Sequence, residues 1–239
     1  MVPGFRRDEL RSRYDVVSFR EDSWHAFTGE RTARILARFL LEVNPASNWL
    51  LNAGAGVYEI GTGAWREIAV DLFVTPIRQR KHSVCTSVER LPFKKSSVGA
   101  VVCVGEVLAY CDPAAAIREF ASVLAPSGLL ICDFASSRSP RYWFRRPYGR
   151  AADLITDEYN GVPERTWVYD PDYVGSLLRD AGFQIREISG THAWSALARR
   201  AGAAPEPALR FQRLLRRLPL PARLADLTTI VASRSASAT

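Results

Sequence analysis

Five short apolar runs recur along the first 135 residues: Trp49–Ala53, Ile68–Phe73, Val84–Thr86, Ala100–Val104 and Leu129–Cys132. Runs that are apolar throughout, rather than at alternate positions, belong to strands buried on both faces. Helix-like stretches separate several of them, and helices laid over both faces of a sheet imply parallel strands joined by crossovers. The helices are legible. Glu30–Val43 spaces Ile35, Leu36, Phe39, Leu40 and Val43 by three and four residues, and Asn44-Pro45 ends it. A helix over Asp112–Leu124 has Asp112 as its cap and Pro113 at its first position. Pro171–Ala181 reads as another, closed by Gly182, with strand-like Phe183–Ser189 and Leu227–Ser233 beyond it.

A chain of 239 residues can bury a sizeable core. No apolar run approaches the roughly 20 residues that span a bilayer. Met1–Arg20 is polar, without the apolar stretch of a secretory leader, so we expect a cytoplasmic protein with no membrane partner. The four cysteines form no C-x-x-C pair and the three histidines are scattered, so no metal site is expected. Cys103 and Cys132 lie in apolar strands and read as buried thiols. Net charge is +7, concentrated in two segments: five arginines between Ser136 and Arg150, and seven between Thr191 and Leu224 against one acid, Glu206. Such patches favour an anionic partner or form a solvated face.

The first apolar run leads into Asn52-Ala53-Gly54-Ala55-Gly56-Val57-Tyr58-Glu59. A dinucleotide fingerprint would need glycine where Glu59 stands, and its carboxylate would repel a pyrophosphate. A P-loop needs a lysine, and none occurs before Lys81. A ligand without phosphate fits better. Gly54 and Gly56 would let backbone approach it, and Asp71, closing the second run, would accept hydrogen bonds from ribose hydroxyls. Only about ten residues, with Gly61 and Gly63 among them, separate Gly56 from the second strand. A crossover usually takes a dozen or more, so the first crossover helix is expected to be one or two turns at most.

The ordered set resembles the class I S-adenosylmethionine-dependent methyltransferases. Leu51–Gly56 looks like their first motif and Asp71 like the acid after strand two. Ser87-Val88-Glu89-Arg90-Leu91-Pro92-Phe93 looks like the segment bordering adenine. Val101–Leu108 is similar to strand four and its loop, and Asp112–Leu130 to the helix and turn before strand five. The resemblance covers roughly residues 30–190. It departs from the family at Asn52, where an acid is usual, at Tyr58, usually a third glycine, and at Ser87, often an acid.

The resemblance implies a Rossmann-like α/β fold: a doubly wound, mostly parallel sheet with an antiparallel last strand, a short first crossover helix, and insertions after strands five and six. It implies one methyltransferase domain over residues 1–239. Residues 1–29 would cap it, 30–135 would bind cofactor, and 136–166 and 191–224 would form the substrate side. The implied cofactor is S-adenosyl-L-methionine, leaving as S-adenosyl-L-homocysteine. The implied cofactor contacts are Tyr14, Asn52, Gly54, Gly56, Asp71, Ser87, Val88, Glu89 and Gly105.

Methyl transfer from a sulfonium needs positioning and water exclusion, plus a general base when the nucleophile carries a proton. Glu106, following strand four, is the leading candidate for that base, with Tyr110 and His25 behind it. Asp133 ends strand five. Tyr142, Trp143 and Arg145, in the arginine and aromatic insertion, and His192, after strand six, are candidates for substrate contact. In the second insertion, Phe211, Leu214, Leu215 and Leu218 follow helical spacing and read as a packing face. The substrate is expected to be a small, planar or anionic metabolite. An RNA-modifying enzyme using the arginine segments, and a non-catalytic binding member, are the alternatives. The oligomeric state does not follow from the sequence.

Overall fold

The computed structural model describes residues 23–42, 47–60, 63–159, 162–215, 218 and 222–235. Nine strands and six α-helices are described. A seven-stranded sheet has the order β3-β2-β1-β4-β5-β9-β8. Its strands are β1 (Trp49–Ala53), β2 (Arg66–Asp71), β3 (Ser83–Cys85), β4 (Val98–Cys103), β5 (Leu124–Ala135), β8 (Phe183–Thr191) and β9 (Leu227–Arg234). The pairings from β3 through β5 are parallel, and β9 runs antiparallel to both its neighbours. The fold is therefore the Rossmann-like doubly wound sheet expected, with its last strand reversed.

Helices cover both faces. α1 (Ser23–Glu42) buries Ile35, Leu36, Phe39 and Leu40 against Leu50, Ala100, Val102, Leu129, Ile131 and Val231. On the other face, α3 (Pro113–Val123) and α4 (Pro171–Asp180) bury Ile117, Phe120, Val123, Val174 and Leu178 against Leu51, Val70, Val101, Leu130 and Ile230. Alternate residues of each central strand thus enter opposite cores, which is why the runs are apolar throughout. α2 (Val74–Ile77) is one turn between β2 and β3.

Local chemistry sets the helix starts. Asp112 accepts from the N–H groups of Ala114 and Ala115 at 2.9 and 3.2 Å, and Pro113 opens α3. Asp112→Ala should lower stability by about 1 kcal/mol, the usual worth of such a cap, measured by urea unfolding. α1 begins seven residues earlier than the apolar spacing suggests. Its first two turns carry Trp24, Phe27 and Thr28, which contact a histidine instead of the main core, so no apolar periodicity announces them.

Between β1 and β2, the described residues of 54–65 hold turns and no helix. The two insertions stand where expected. The first contains a separate antiparallel hairpin, β6 (Ala152–Tyr159) and β7 (Val162–Tyr169). The second contains α5 (Ala193–Arg200) and α6 (Pro205–Leu214). The packing face expected on α6 is corrected by the structure. The helix buries Ala208 and Leu209, while Phe211, Leu214 and Leu218 are exposed. Phe211 meets Trp194 of α5 edge-on, with ring centroids 6.0 Å apart.

Candidate functional site

β1 is flanked by β2 on one side and β4 on the other, so the chain winds away from it in both directions. Ligands of such sheets lie beyond the carboxyl ends of the strands at this switch point. The loops after β1, β2 and β4 meet there.

The loop after β1 is drawn into that crevice by β2. Gly54 and Ala55 both donate to the Val70 carbonyl, at 2.8 and 2.9 Å. The Asp71 carboxylate accepts from the N–H of Gly56 at 2.9 Å and of Phe73 at 3.0 Å. Burial raises its pKa, and these backbone donors work against that rise. Each oxygen keeps lone-pair capacity for a further donor. Gly54 has φ 75°, and a Cβ there would meet the Val107 side chain at 2.3 Å. Gly56 and Gly105 have φ 50° and 86°, and a Cβ at either would meet nothing within 4 Å. The first glycine is thus demanded by a protein contact, while the other two leave open space at the carboxyl ends of β1 and β4.

Asn52 is bonded within the protein. Its buried amide donates to the Tyr58 carbonyl at 3.1 Å and to Glu67 Oε1 at 2.9 Å, while Glu67 Oε2 accepts from the Ile60 N–H at 2.8 Å. Asn52 and Glu67, on neighbouring strands, brace the loop from within. Arg80 braces it from outside, donating to the Val57 carbonyl at 2.8 Å and pairing with Glu59. These contacts replace the support a crossover helix would have given. A cleft of about 340 Å³, lined by Glu59, Arg66, Glu67, Arg80, Lys81 and His82, lies over the early half of β2, away from the strand ends.

In the segment after β3, Val88 is buried, and Ser87 donates to Glu89 at 3.2 Å. Glu89 also accepts from the Asp112 N–H at 2.7 Å, which fastens this loop to the start of α3. Tyr14 lies outside the described residues.

Glu106 is set by an unusual backbone. It has φ 63°, in the left-handed region that costs an ordinary residue roughly 1–3 kcal/mol. Asp133 at the end of β5 holds it there, accepting from the N–H of Gly105 at 3.1 Å and of Glu106 at 2.8 Å. The Glu106 carboxylate itself accepts no hydrogen bond from any described residue. Burial, with Asp133, Asp226 and Asp157 nearby, pushes its pKa up to about 7, against the pull of Arg141. Burial likewise lifts Asp133 to about 6. A carboxyl poised near neutrality, with no described donor on it, is suited to taking and releasing a proton.

The hairpin covers this centre. Ser137 donates to the Tyr169 carbonyl at 2.9 Å, fastening β7 to the end of β5. The Tyr169 hydroxyl donates to the Leu108 carbonyl at 3.2 Å, and Tyr110 bonds to Glu164, in the turn just after Glu106. Tyr142 is buried beside Glu106, Trp143 is half-buried, and Arg145 is exposed.

Three of the five arginines of the first insertion pair with acids of the protein. Arg138 pairs with Asp170 and Asp172 at 2.7 and 3.2 Å. Arg141 pairs with Asp157 and, at 3.2 Å, with Asp226. Arg146 pairs with Asp153 at 2.9 Å. Acids distant in sequence therefore neutralise part of the basic run, while Arg145 and Arg150 stay exposed.

His192 is held between two helices. His192 is buried with φ 66°, stacked on Trp24 at 3.9 Å. Its Nε2 lies 2.7 Å from the Thr28 hydroxyl and its Nδ1 3.1 Å from that of Ser195. Burial lowers its pKa to about 4. Both ring nitrogens are used in joining α1 to α5. His25 is half-buried on α1. The thiols of Cys103, Cys111 and Cys132 are buried and their pKa values raised, which makes them poor nucleophiles.

Residues 52–132 match the family model described as a methyltransferase domain. That stretch, from Asn52 in β1 to Cys132 in β5, is similar to the methyltransferase domain family. Solved structures share the fold of this chain at low identity. One is an S-adenosylmethionine-dependent methyltransferase from Clostridium acetobutylicum, 10% identical, with TM-score 0.57, covering 95% of this chain and 98% of that one. Another is the 1,6-didemethyltoxoflavin-N1-methyltransferase of Burkholderia thailandensis with bound 1,6-didemethyltoxoflavin and S-adenosylhomocysteine. It is 16% identical with TM-score 0.58, covering 96% and 87%. A third, the [4+2]-cyclase SpnF, is 17% identical with TM-score 0.54, covering 86% and 81%. No curated protein matches the sequence significantly.

The crevice at the strand ends fits an adenosyl donor. Open space faces Gly56 and Gly105, and Asp71 stands at the end of β2 with acceptor capacity left. The residues that sequence reasoning passed over are Val107, Glu67, Arg141, Asp157 and Asp226. Asp226 reaches the site only through the register of β9 on β5, which sets Leu227 beside Ala135 and the Asp226 carbonyl on the Ser136 N–H at 2.8 Å. No local sequence pattern signals that.

Proposed function

We propose that the protein methylates a small molecule held between the turn after β4 and the β6–β7 hairpin, with Glu106 as general base. The bound donor supplies an electrophilic methyl group. Gly54, Gly56 and Gly105 shape its bed, Asp71 takes its ribose hydroxyls, and Ser87, Val88 and Glu89 border its adenine. The single observation that carries the assignment is the Glu106 carboxylate: half-buried, accepting no hydrogen bond from any described residue, and raised to about 7 at the carboxyl end of β4. The cyclase among the structural neighbours shows that this fold hosts more than one chemistry. The family match and the acid–base group therefore carry the reading, and the fold alone does not.

Calorimetric titration with S-adenosylmethionine and S-adenosylhomocysteine tests the donor site, and absence of binding by both would overturn the reading. Asp71→Ala should weaken that binding by roughly 1–3 kcal/mol, the scale of a hydrogen bond to a charged group. Unchanged affinity removes the ribose role. The hairpin roof and the paired arginines favour a small acceptor over RNA. Methyl transfer to such an acceptor should depend only weakly on salt, whereas a protein neutralising several phosphates would lose affinity steeply as salt rises.

A further inference from the structure

The acceptor's charge can be read from what surrounds Glu106. Four carboxylates converge there: Glu106 after β4, Asp133 ending β5, Asp157 on β6 and Asp226 before β9. One cation, Arg141, is among them, already forked between Asp157 and Asp226. Asp133 is taken up by two backbone N–H groups, and Asp226 also accepts from the Ser139 hydroxyl at 2.8 Å. Glu106 has no such donor. Beside it stands Tyr142, with 8% of its surface exposed. The hydroxyl lies within electrostatic reach of Glu106, Asp157 and Asp226. Resting on the proposed function, we infer that this site takes an acceptor bearing an ammonium group, received by Glu106 with the Tyr142 oxygen beside it.

An anionic group would meet unbalanced negative charge here, and a neutral hydroxyl would leave that charge uncompensated. An ammonium brings one positive charge and three donors to a place rich in acceptors and short of donors. The chemistry is consistent with this recognition. The ammonium passes one proton to the Glu106 carboxylate, and the lone pair so freed is the nucleophile. The arginine insertion, which in sequence suggests an anionic substrate, instead leaves an acidic pocket behind its ion pairs.

The test is calorimetry on the full protein saturated with S-adenosylhomocysteine, so that the donor's own ammonium is already in place. Two series serve as probes: 2-phenylethylamine, 2-phenylethanol and phenylacetate; and butylamine, butanol and butyrate. In at least one series the amine should bind tenfold or more tightly than its alcohol and acid. That affinity should rise as pH increases through about 7, as Glu106 ionises among Asp133, Asp157, Asp226, Arg141 and Tyr142. Glu106→Gln should remove the preference and flatten the pH dependence, with S-adenosylhomocysteine binding unchanged. Asp226→Asn should weaken the amine as well. The idea is overturned if the alcohol or acid binds as tightly as the amine. It is equally overturned if neither amine binds while S-adenosylhomocysteine does, or if Glu106→Gln leaves the preference intact. Failure of S-adenosylhomocysteine itself to bind would instead sink the methyl-transfer reading.

Discussion

Glu106→Gln lowers turnover by about 10²–10⁴-fold, the range for losing a positioned general base. Glutamine keeps the length and planarity of the side chain, and no described residue donates to the native carboxylate, so folding should be undisturbed. The Asp133 bonds that hold residue 106 involve its backbone N–H and survive the change. Steady-state kinetics beside a thermal melt separates the two effects. The native profile of kcat/KM should rise with pH around an apparent pKa of about 7 and be lost in the variant. Stability should run the other way. Glu106 and Asp133 have folded pKa values raised above their ordinary 4.5 and 3.8, so the folded state holds the extra protons. Their contribution is present at low pH and is lost as pH rises from about 4 towards 7. Full turnover in Glu106→Gln would remove the residue from the mechanism.

Gly54→Ala is the second large effect, at roughly 2–5 kcal/mol of stability. Left-handed backbone costs a non-glycine residue about 1–2 kcal/mol. Forcing a methyl group into Val107, 2.3 Å away, adds the usual overpacking cost of about 1–3 kcal/mol. Gly56→Ala provides the contrast. It has positive φ but no neighbour within 4 Å, so it should lose only about 1–2 kcal/mol. Urea denaturation of both, with Gly54→Ala placed in a double-mutant cycle against Val107→Ala, isolates the contact. Equal losses at the two glycines would mean that Val107 yields freely. The same contact ties the β1 loop to the turn that carries Glu106, so Gly54→Ala should also disturb turnover.

Much of this was legible in the chain. Strand positions followed from apolar runs, since burial on both faces leaves no alternation to confuse with a helix. Gly54, Gly56 and Asp71 could be paired in sequence because backbone freedom and a strand-end acid are local properties. The start of α1 was not legible, because Trp24 and Thr28 find their partner 164 or more residues away in His192. The meaning of the arginines was hidden for the same reason. Arg138, Arg141 and Arg146 stand in a segment without acids, yet each is neutralised by an aspartate between residues 153 and 226.

The sequence by itself determined the layered fold and the end of the sheet where chemistry would occur, through local periodicity, caps and glycine placement. Only the tertiary structure decided the charge of that site. Its sign is the sum of Glu106, Asp133, Asp157, Asp226 and Arg141. These are brought together by a crossover, a hairpin and an antiparallel strand. Charge adds over distance in space, and the chain records only distance along itself.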